Sequence, residues 1–319
     1  MHAIVVSAYG GSEVLEYTEV PDPVPGPGQV LVDVAAAGVN FIDVYHREGR
    51  YPLPLPLVPG SEGAGTVAAV GPGVTEVAVG DPVGWVNAPG AYAEKAVIPA
   101  EQAIPLPPGV DPVDAAAILL QGLTAHYLTT STHPVRPGED VLVHAAAGGM
   151  GLLLVQLAKL RRARVIGTVS TAEKEKLARD AGADAVLRYE GFPAAVRELA
   201  PEGVHVVYDG VGAATFDGSL ASVRPRGLLA LYGAASGPVP PFDIQRLNQA
   251  GSVFLTRPSL GAYTATREEL LGRARDVLGW VASGELKVHV SARRPLAEAR
   301  QAHDDLEGRR TVGKLLLIP

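Results

Sequence analysis

The chain contains no cysteine. That absence excludes disulfides, iron–sulfur clusters and every thiolate zinc site. Long apolar runs are also missing. No stretch reaches the roughly 18 unbroken apolar residues of a membrane-spanning helix. The opening, "MHAIVVSAYGGSEVLEY", has no basic segment ahead of an apolar one. No secretory signal is expected, and a cytoplasmic location is. An excess of positive charge is lacking too. The net charge is −7, with the two signs interspersed, which argues against a protein that tracks nucleic-acid phosphates. There is no G-x-S-x-G elbow and no H-x-x-x-H pair, so neither a serine hydrolase nor a helical zinc site is indicated. His126, His133 and His144 are scattered, and His144 lies inside a strand, where a buried hydrogen-bonded role is expected. No internal repeat or low-complexity tract is evident.

What is present is ample core material. Hydrophobic residues make up 47% of 319, enough for one large domain or two ordinary ones. The 21 arginines against six lysines, the 27 prolines and the two methionines point to a heat-adapted (thermophilic) or GC-rich source.

Composition changes along the chain. Sixteen of the prolines precede residue 113. That region reads as short β-branched runs between Gly/Pro turns: "QVLVDVAAAGV", "GAGTVAAVG", "DPVGWV", "YAEKAVIP". The pattern predicts a compact, mostly β domain. "EVPDPVPGPGQ" is too proline-rich for a helix or central strand and predicts a surface turn region. From about Asp111 strand and helix alternate. After helices in "DPVDAAAILLQGLTAHYLTT", strands are expected at 141–144, 164–169, 204–209, 228–233 and 252–257. Helices are expected at 150–162, 172–181 and 266–283, and a strand-like end at "KLLLIP". Gly182 stands where a helix stop belongs. Such alternation predicts a parallel sheet covered on both faces.

The chemistry centres on "VLVHAAAGGMG", residues 141–151. In a dinucleotide-binding turn, one glycine makes the bend, a second lets backbone approach the pyrophosphate, and a third lets helix pack on strand. Here those places hold Ala146, Gly148 and Gly151, with Gly149 extra. The helix starting near Gly149 offers unpaired N–H groups, a ready anion site. Ala147 and Met150 complete the loop. A tight strand–helix turn with no ligand fits the same letters. The next strand ends at Val169, where a ribose-binding acid would stand. Ser170, Thr171 and Lys174 follow instead. Hydroxyls and an ammonium favour a 2′-phosphate, so NADPH is expected over NADH. Ser170 and Thr171 also suit helix capping, and Lys174 a solvated face.

With "AAGVNFIDVYHREGRYPLPLPLVPGSEGAGTVAAVG", "GLTAHY", "DGVG", "LYGAASGP", "TRPSL" and "GKLLLIP", the chain resembles the medium-chain dehydrogenase/reductase superfamily. Within it, the likeness is to the zinc-free, zeta-crystallin-like quinone oxidoreductase branch. The resemblance covers nearly the whole chain. It implies an α/β fold: a Rossmann doubly wound parallel sheet plus a mostly β GroES-like catalytic domain. The expected divisions are a GroES-like domain at 1–112, a Rossmann NADPH-binding domain at 113–262, and a C-terminal segment, 263–319, returning to the first domain. The branch often reads A-x-G-G-x-G, which accounts for Ala146.

Zinc relatives place a cysteine and a histidine where this chain has Asn40 and Ser61, which are poor zinc ligands. No metal is therefore expected. The resemblance implies hydride transfer from NADPH to a quinone, governed by positioning. Asn40 would lie near the nicotinamide and Thr124 near its ribose or carboxamide. Tyr45 and Tyr51 would line the substrate mouth. Tyr189 would sit by the adenosine phosphate, with Arg188 a possible second cation. Gly233, Ala234, Phe254, Thr256 and Arg309 complete the expected cofactor contacts, and the strand of Phe254 is a candidate subunit contact in a homodimer. Each has a plainer alternative: Asn40 a turn residue, Thr124 a helix residue bonded to its own turn, the tyrosines packing, Arg309 a solvated arginine. Two other functions stay open: an NADPH-dependent reductase of α,β-unsaturated carbonyls, and a non-catalytic NADPH-binding protein.

Overall fold

Glycine and proline cut the first third of the chain into short strands. These are β1 (His2–Val5), β2 (Glu16–Glu19), β3 (Gln29–Val39), β4 (Glu62–Val70), β5 (Pro82–Val86), β6 (Lys95–Pro99) and β7 (Ile104–Pro105). The computed structural model describes Met1–Pro319. β3 shows why the segment folds as it does. It buries Val30, Val32 and Val34 on one face, then everything from Ala36 to Val39. A strand covered on one side becomes a strand covered on both. The change falls at a register shift between Val34 and Ala36. Gly65 sits opposite that bulge, where a Cβ would lie 1.9 Å from the Asp33 carbonyl oxygen. Only glycine permits so close a backbone approach. Two helices complete the segment: α1 (Phe41–Arg47) and α2 (Pro112–Tyr127). Proline at the first position of α2 gives up an N–H that has no partner there anyway.

The middle of the chain alternates regularly. Its elements are β8 (Asp140–Val143), α3 (Gly149–Leu160), β9 (Arg164–Val169), α4 (Ala172–Asp180), β10 (Ala185–Arg188), α5 (Phe192–Leu199), β11 (Val204–Asp209), α6 (Phe216–Ser222), β12 (Val223–Leu231), α7 (Gln245–Gln249) and β13 (Phe254–Thr256). All six strands are parallel, in the order β10-β9-β8-β11-β12-β13. The chain enters at β8, winds outward to β10, then returns to the far side of β8 as β11. The direction of winding reverses between β8 and β11, the place where open sheets of this kind bind ligands at their carboxyl edge. β9 is buried at five consecutive positions after Arg164, as a strand covered on both faces must be. Its Ile166 joins Leu142, Val207 and Leu229 of the sheet, with Val196, Phe216 and Leu220 of the helices, in one core.

The remaining elements are α8 (Leu260–Tyr263), α9 (Arg267–Ser283), β14 (Val290–Pro295), α10 (Ala299–Glu307) and β15 (Lys314–Ile318). β15 lies parallel to β14 and antiparallel to β3. The end of the chain thus joins the N-terminal strands in a seven-stranded sheet, β14-β15-β3-β4-β5-β7, with β6 also on β3. α9 opens with Thr266 and Glu269 capping each other's backbone and stops at Gly284, φ 78°, as start and stop signals require. The chain divides into two compact units. One comprises Met1–Leu123 with Tyr263–Pro319, the other Thr124–Ala262. No helix is long and apolar enough to cross a membrane.

Candidate active site

The phosphate-type turn lies at the carboxyl end of β8. Its left-handed residue is Ala145, φ 50°, one position before the expected first glycine. Ala146 itself has ordinary backbone angles. It fits because the neighbouring strand gives way: a Cβ on Gly167 of β9 would lie 2.7 Å from the Ala146 Cβ. The glycine missing from the loop is supplied by the strand beside it. Gly148 N–H donates to the Ala145 carbonyl at 2.8 Å, closing the turn. Gly151 lets α3 rest on that same carbonyl, since a Cβ there would come within 2.1 Å of it. Gly148 starts α3 in extended conformation with no side-chain cap. The first bond into the helix comes from Leu152 N–H to Gly148 O, 2.9 Å. The amides of Gly149, Met150 and Gly151 therefore precede the helical ladder and form a concentrated donor set for an anion. A Cβ on Gly148 would meet only the Ala145 oxygen, at 3.2 Å; the rest of that face is clear. Ala147 is buried beneath the loop. This donor set fits a dinucleotide diphosphate.

The same sheet edge carries Ser170, Thr171, Lys174, Gly233, Ala234 and Thr256. Thr171 caps α4, its Oγ1 accepting from Lys174 N–H at 3.2 Å. Ser170 is exposed beside it, and Lys174 lies in the first turn. Arg188 donates to the Thr171 carbonyl at 2.8 Å and pairs with Glu175 at 3.0 Å, so its guanidinium braces the start of α4. Gly233 and Ala234 follow β12, where a Cβ on Gly233 would lie 2.6 Å from the Gly210 carbonyl oxygen. Thr256 ends β13, whereas Phe254 stands at the start of that strand, 65% exposed. Thr124 is buried on α2.

Below this edge lies a polar core that sequence reasoning foresaw only at His144. Asp209, fully buried, accepts hydrogen bonds from the amides of Val211 (2.8 Å) and Gly212 (3.0 Å). Its second oxygen accepts from the Thr215 and Ser219 hydroxyls, both at 2.7 Å. Ser219 Oγ, having donated to the carboxylate, accepts from His144 Nε2 at 2.9 Å, and Thr168 Oγ1 serves His144 Nδ1 at 2.8 Å. Burial pushes the His144 imidazole down to about 4, against the opposing pull of Asp209. His144 is thus a neutral, two-bonded strut.

In the other unit, Asn40 precedes α1 and is buried. Its amide is fully used. Oδ1 accepts from Lys314 Nζ at 2.7 Å and Gln121 Nε2 at 3.3 Å. Nδ2 donates to Glu62 Oε2 at 2.8 Å and to the Gly38 carbonyl at 3.2 Å. Lys314 also pairs with Glu62 at 2.5 Å, both buried. Gly38 is required here, because a Cβ would lie 2.2 Å from the Glu62 carboxylate. Ser61 donates both N–H and Oγ–H to Asp43 Oδ1, at 2.9 and 2.8 Å. Asp43 Oδ2 accepts from Asn40 N–H (3.0 Å) and the Tyr92 hydroxyl (3.2 Å). Burial raises the Asp43 carboxyl to about 6 despite these donors. The line continues outward. Tyr92 meets His303 Nε2 at 3.2 Å, His303 Nδ1 meets Arg47 at 3.1 Å, and Arg47 pairs with Glu307. Burial and the Arg47 charge push His303 down to about 3. Tyr45 of α1 is buried and Tyr51 half-exposed, their rings edge-on at 5.6 Å. Arg309 follows α10 with φ 56°.

Glu62, Lys314, Asp43 and Gln121 were absent from the sequence prediction. The only local signals were the acid in "PGSEG" and an aspartate three residues after Asn40.

The pattern for an alcohol dehydrogenase GroES-like domain matches residues 26–108, and that for a zinc-binding dehydrogenase matches residues 149–271. A quinone oxidoreductase of Pseudomonas aeruginosa is 46% identical over 99% of both chains. The chain belongs to the medium-chain dehydrogenase/reductase superfamily, in its zeta-crystallin-like quinone oxidoreductase branch. A 2-haloacrylate reductase of Burkholderia is 43% identical over 99% of this chain and 98% of its own. A mycobacterial protein solved in complex with NADPH is 55% identical over the whole of both chains, with a TM-score of 0.98. The two side chains that stand at the expected zinc-ligand positions are otherwise engaged. The Asn40 oxygen is taken by an ammonium and an amide, the Ser61 hydroxyl is committed to Asp43, and no cluster of three His, Cys, Asp or Glu side chains forms. These residues do not fit a zinc ion.

Proposed function

We infer that this protein is an NADPH-dependent quinone oxidoreductase that reduces quinones by hydride transfer without a metal. The carrying observation is the uncapped amide cluster of Gly149, Met150 and Gly151 behind the Ala145 turn, in a chain so similar to a protein solved with NADPH. When bound, NADPH supplies the hydride from nicotinamide C4. The chain's own residues bind and orient. The α3 amides take the diphosphate, while Ser170, Thr171 and Lys174 take the 2′-phosphate, with Arg309 as a further contact and Tyr189 against the turn that carries the diphosphate site. Gly233, Ala234 and Thr256 border the cofactor from the later strands, whereas Phe254, expected as a further contact, stands at the other end of β13. Thr124 and Asn40 border the nicotinamide. Because its amide is saturated by Lys314, Gln121, Glu62 and Gly38, Asn40 acts as a fixed wall. Tyr45 and Tyr51 flank the acceptor and can deliver a proton. A homodimer in the cytoplasm completes the proposal; β13, the sheet edge with exposed Phe254, is its candidate contact.

A second reading is reduction of α,β-unsaturated carbonyls, favoured by the likeness to a 2-haloacrylate reductase and by the same tyrosines as proton donors. Initial rates with 1,4-benzoquinone, a naphthoquinone, a 2-alkenal and 2-chloroacrylate at one NADPH concentration separate the two. Faster turnover of the quinones is expected. Turnover of the alkenes alone would replace the first reading with the second.

A further inference from the structure

The Ala145 turn is held by a residue from elsewhere in the sheet. Tyr189 follows β10, and its hydroxyl oxygen accepts the Ala145 N–H at 3.0 Å. Its ring lies over His144, with centroids 6.1 Å apart and planes inclined by 17°. His144 is fixed in turn by Thr168 and by the Ser219–Asp209 pair. Phe192 also meets the His144 ring edge-on at 4.9 Å. The phenol is therefore held by a buried platform, and its oxygen meets the one loop residue with a left-handed backbone. In that conformation an L-alanine's own Cβ crowds the following carbonyl oxygen. Something must hold Ala145 there. Gly148 N–H grips its carbonyl at 2.8 Å from one side, and Tyr189 grips its N–H from the other.

We propose that Tyr189 is a positioning residue of the dinucleotide site: its phenol oxygen locks Ala145 in the left-handed conformation, and the locked turn presents the α3 amides to the cofactor diphosphate. This deepens the NADPH reading above and rests on it. The lock acts on the turn shared by both nucleotides. A direct contact with the 2′-phosphate would act on NADPH alone.

The experiment is a double-variant cycle read by binding. Dissociation constants for NADPH and for NADH are measured by fluorescence titration on the unsubstituted chain, Tyr189→Phe, Ala145→Gly and the double variant. Thermal midpoints of each ligand-free chain are recorded alongside. Phenylalanine keeps the ring over His144 and removes only the oxygen. Tyr189→Phe should weaken both nucleotides by the same factor, roughly three- to ten-fold, the worth of one hydrogen bond. Glycine adopts positive φ unaided. The double variant should therefore bind both nucleotides about as tightly as Ala145→Gly alone. A loss confined to NADPH, no recovery in the double variant, or a lowered midpoint with both affinities unchanged would each overturn the lock. Should Tyr189→Phe fail to fold, Ala145→Gly alone decides: equal or tighter binding of both nucleotides supports the lock, and weaker binding overturns it. If the unsubstituted chain binds neither nucleotide, the cofactor reading falls, and the lock with it.

Discussion

The proposed preference for NADPH rests on single residues. Val169 ends β9, and no carboxylate follows where a ribose would be read. Thr171 spends one lone pair capping α4 and keeps its own O–H to donate, so capping and phosphate binding do not compete. Lys174 stands between Glu173 and Glu175, but Glu175 is neutralised by Arg179 and Arg188. The local field toward an anion is therefore less negative than the letters "TAEKEK" imply. Lys174→Ala should raise the NADPH dissociation constant about tenfold, the scale of one charge-assisted phosphate contact. NADH should change little. Equal losses for the two nucleotides in parallel titrations would remove the 2′-phosphate role.

At the scale of elements, the elements that local pattern specifies were legible and those that depend on pairing were not. β8, α3, β9 and α4 sit within two residues of their expected positions, because apolar runs, a capping threonine and Gly182, φ 111°, are local signals. β10 and α5 escaped notice: "AVLR" is too short to stand out, and α5 begins at Phe192 behind Gly191. β12 starts at Val223, five residues before the expected 228, running through Pro225 and Gly227, which read as breaks. Gly167 explains Ala146 only once β9 is known to lie beside β8. Lys314 finds Glu62 across 252 positions, with nothing local to announce it.

That ion pair ties β15 to β4 and, through Asn40, to the end of β3. Removing one partner strands a buried charge, at a cost of about 3–5 kcal/mol. Lys314→Met should destabilise the chain by that order in urea unfolding, and adding Glu62→Gln should recover most of it. A double variant no more stable than Lys314→Met would show that packing, not the stranded charge, sets the loss.

At the scale of the whole molecule, acid should destabilise. His144 and His303 are buried neutral, held at about 4 and about 3 against an ordinary 6.5. His46 and His205 are shifted the same way by burial. A histidine lowered in the folded state contributes stability that is complete above 6.5 and is lost as pH falls toward the folded value. Asp43 opposes. Raised from 3.8 to about 6, it binds a proton in the folded state first, and stability is gained as pH falls through 6. Between pH 6 and 4 the two buried histidines outweigh the one carboxyl. The net effect is a loss of stability as pH falls from 6 toward 4. His303→Gln keeps an acceptor toward Arg47 and a donor toward Tyr92, and should flatten the fall in Tm between pH 6.5 and 4. An unchanged pH profile would place the acid sensitivity elsewhere.

The proposed reaction should require nothing beyond the chain, the nucleotide and the quinone, since Asn40, Ser61, Asp43, Glu62 and Lys314 satisfy one another. The direct measurement is the rate of 1,4-benzoquinone-dependent NADPH oxidation by protein dialysed against a strong chelator, with zinc quantified in the same sample. Undiminished turnover with far less than one zinc per chain is predicted. Activity that disappears with the zinc and returns when zinc is restored would contradict the account.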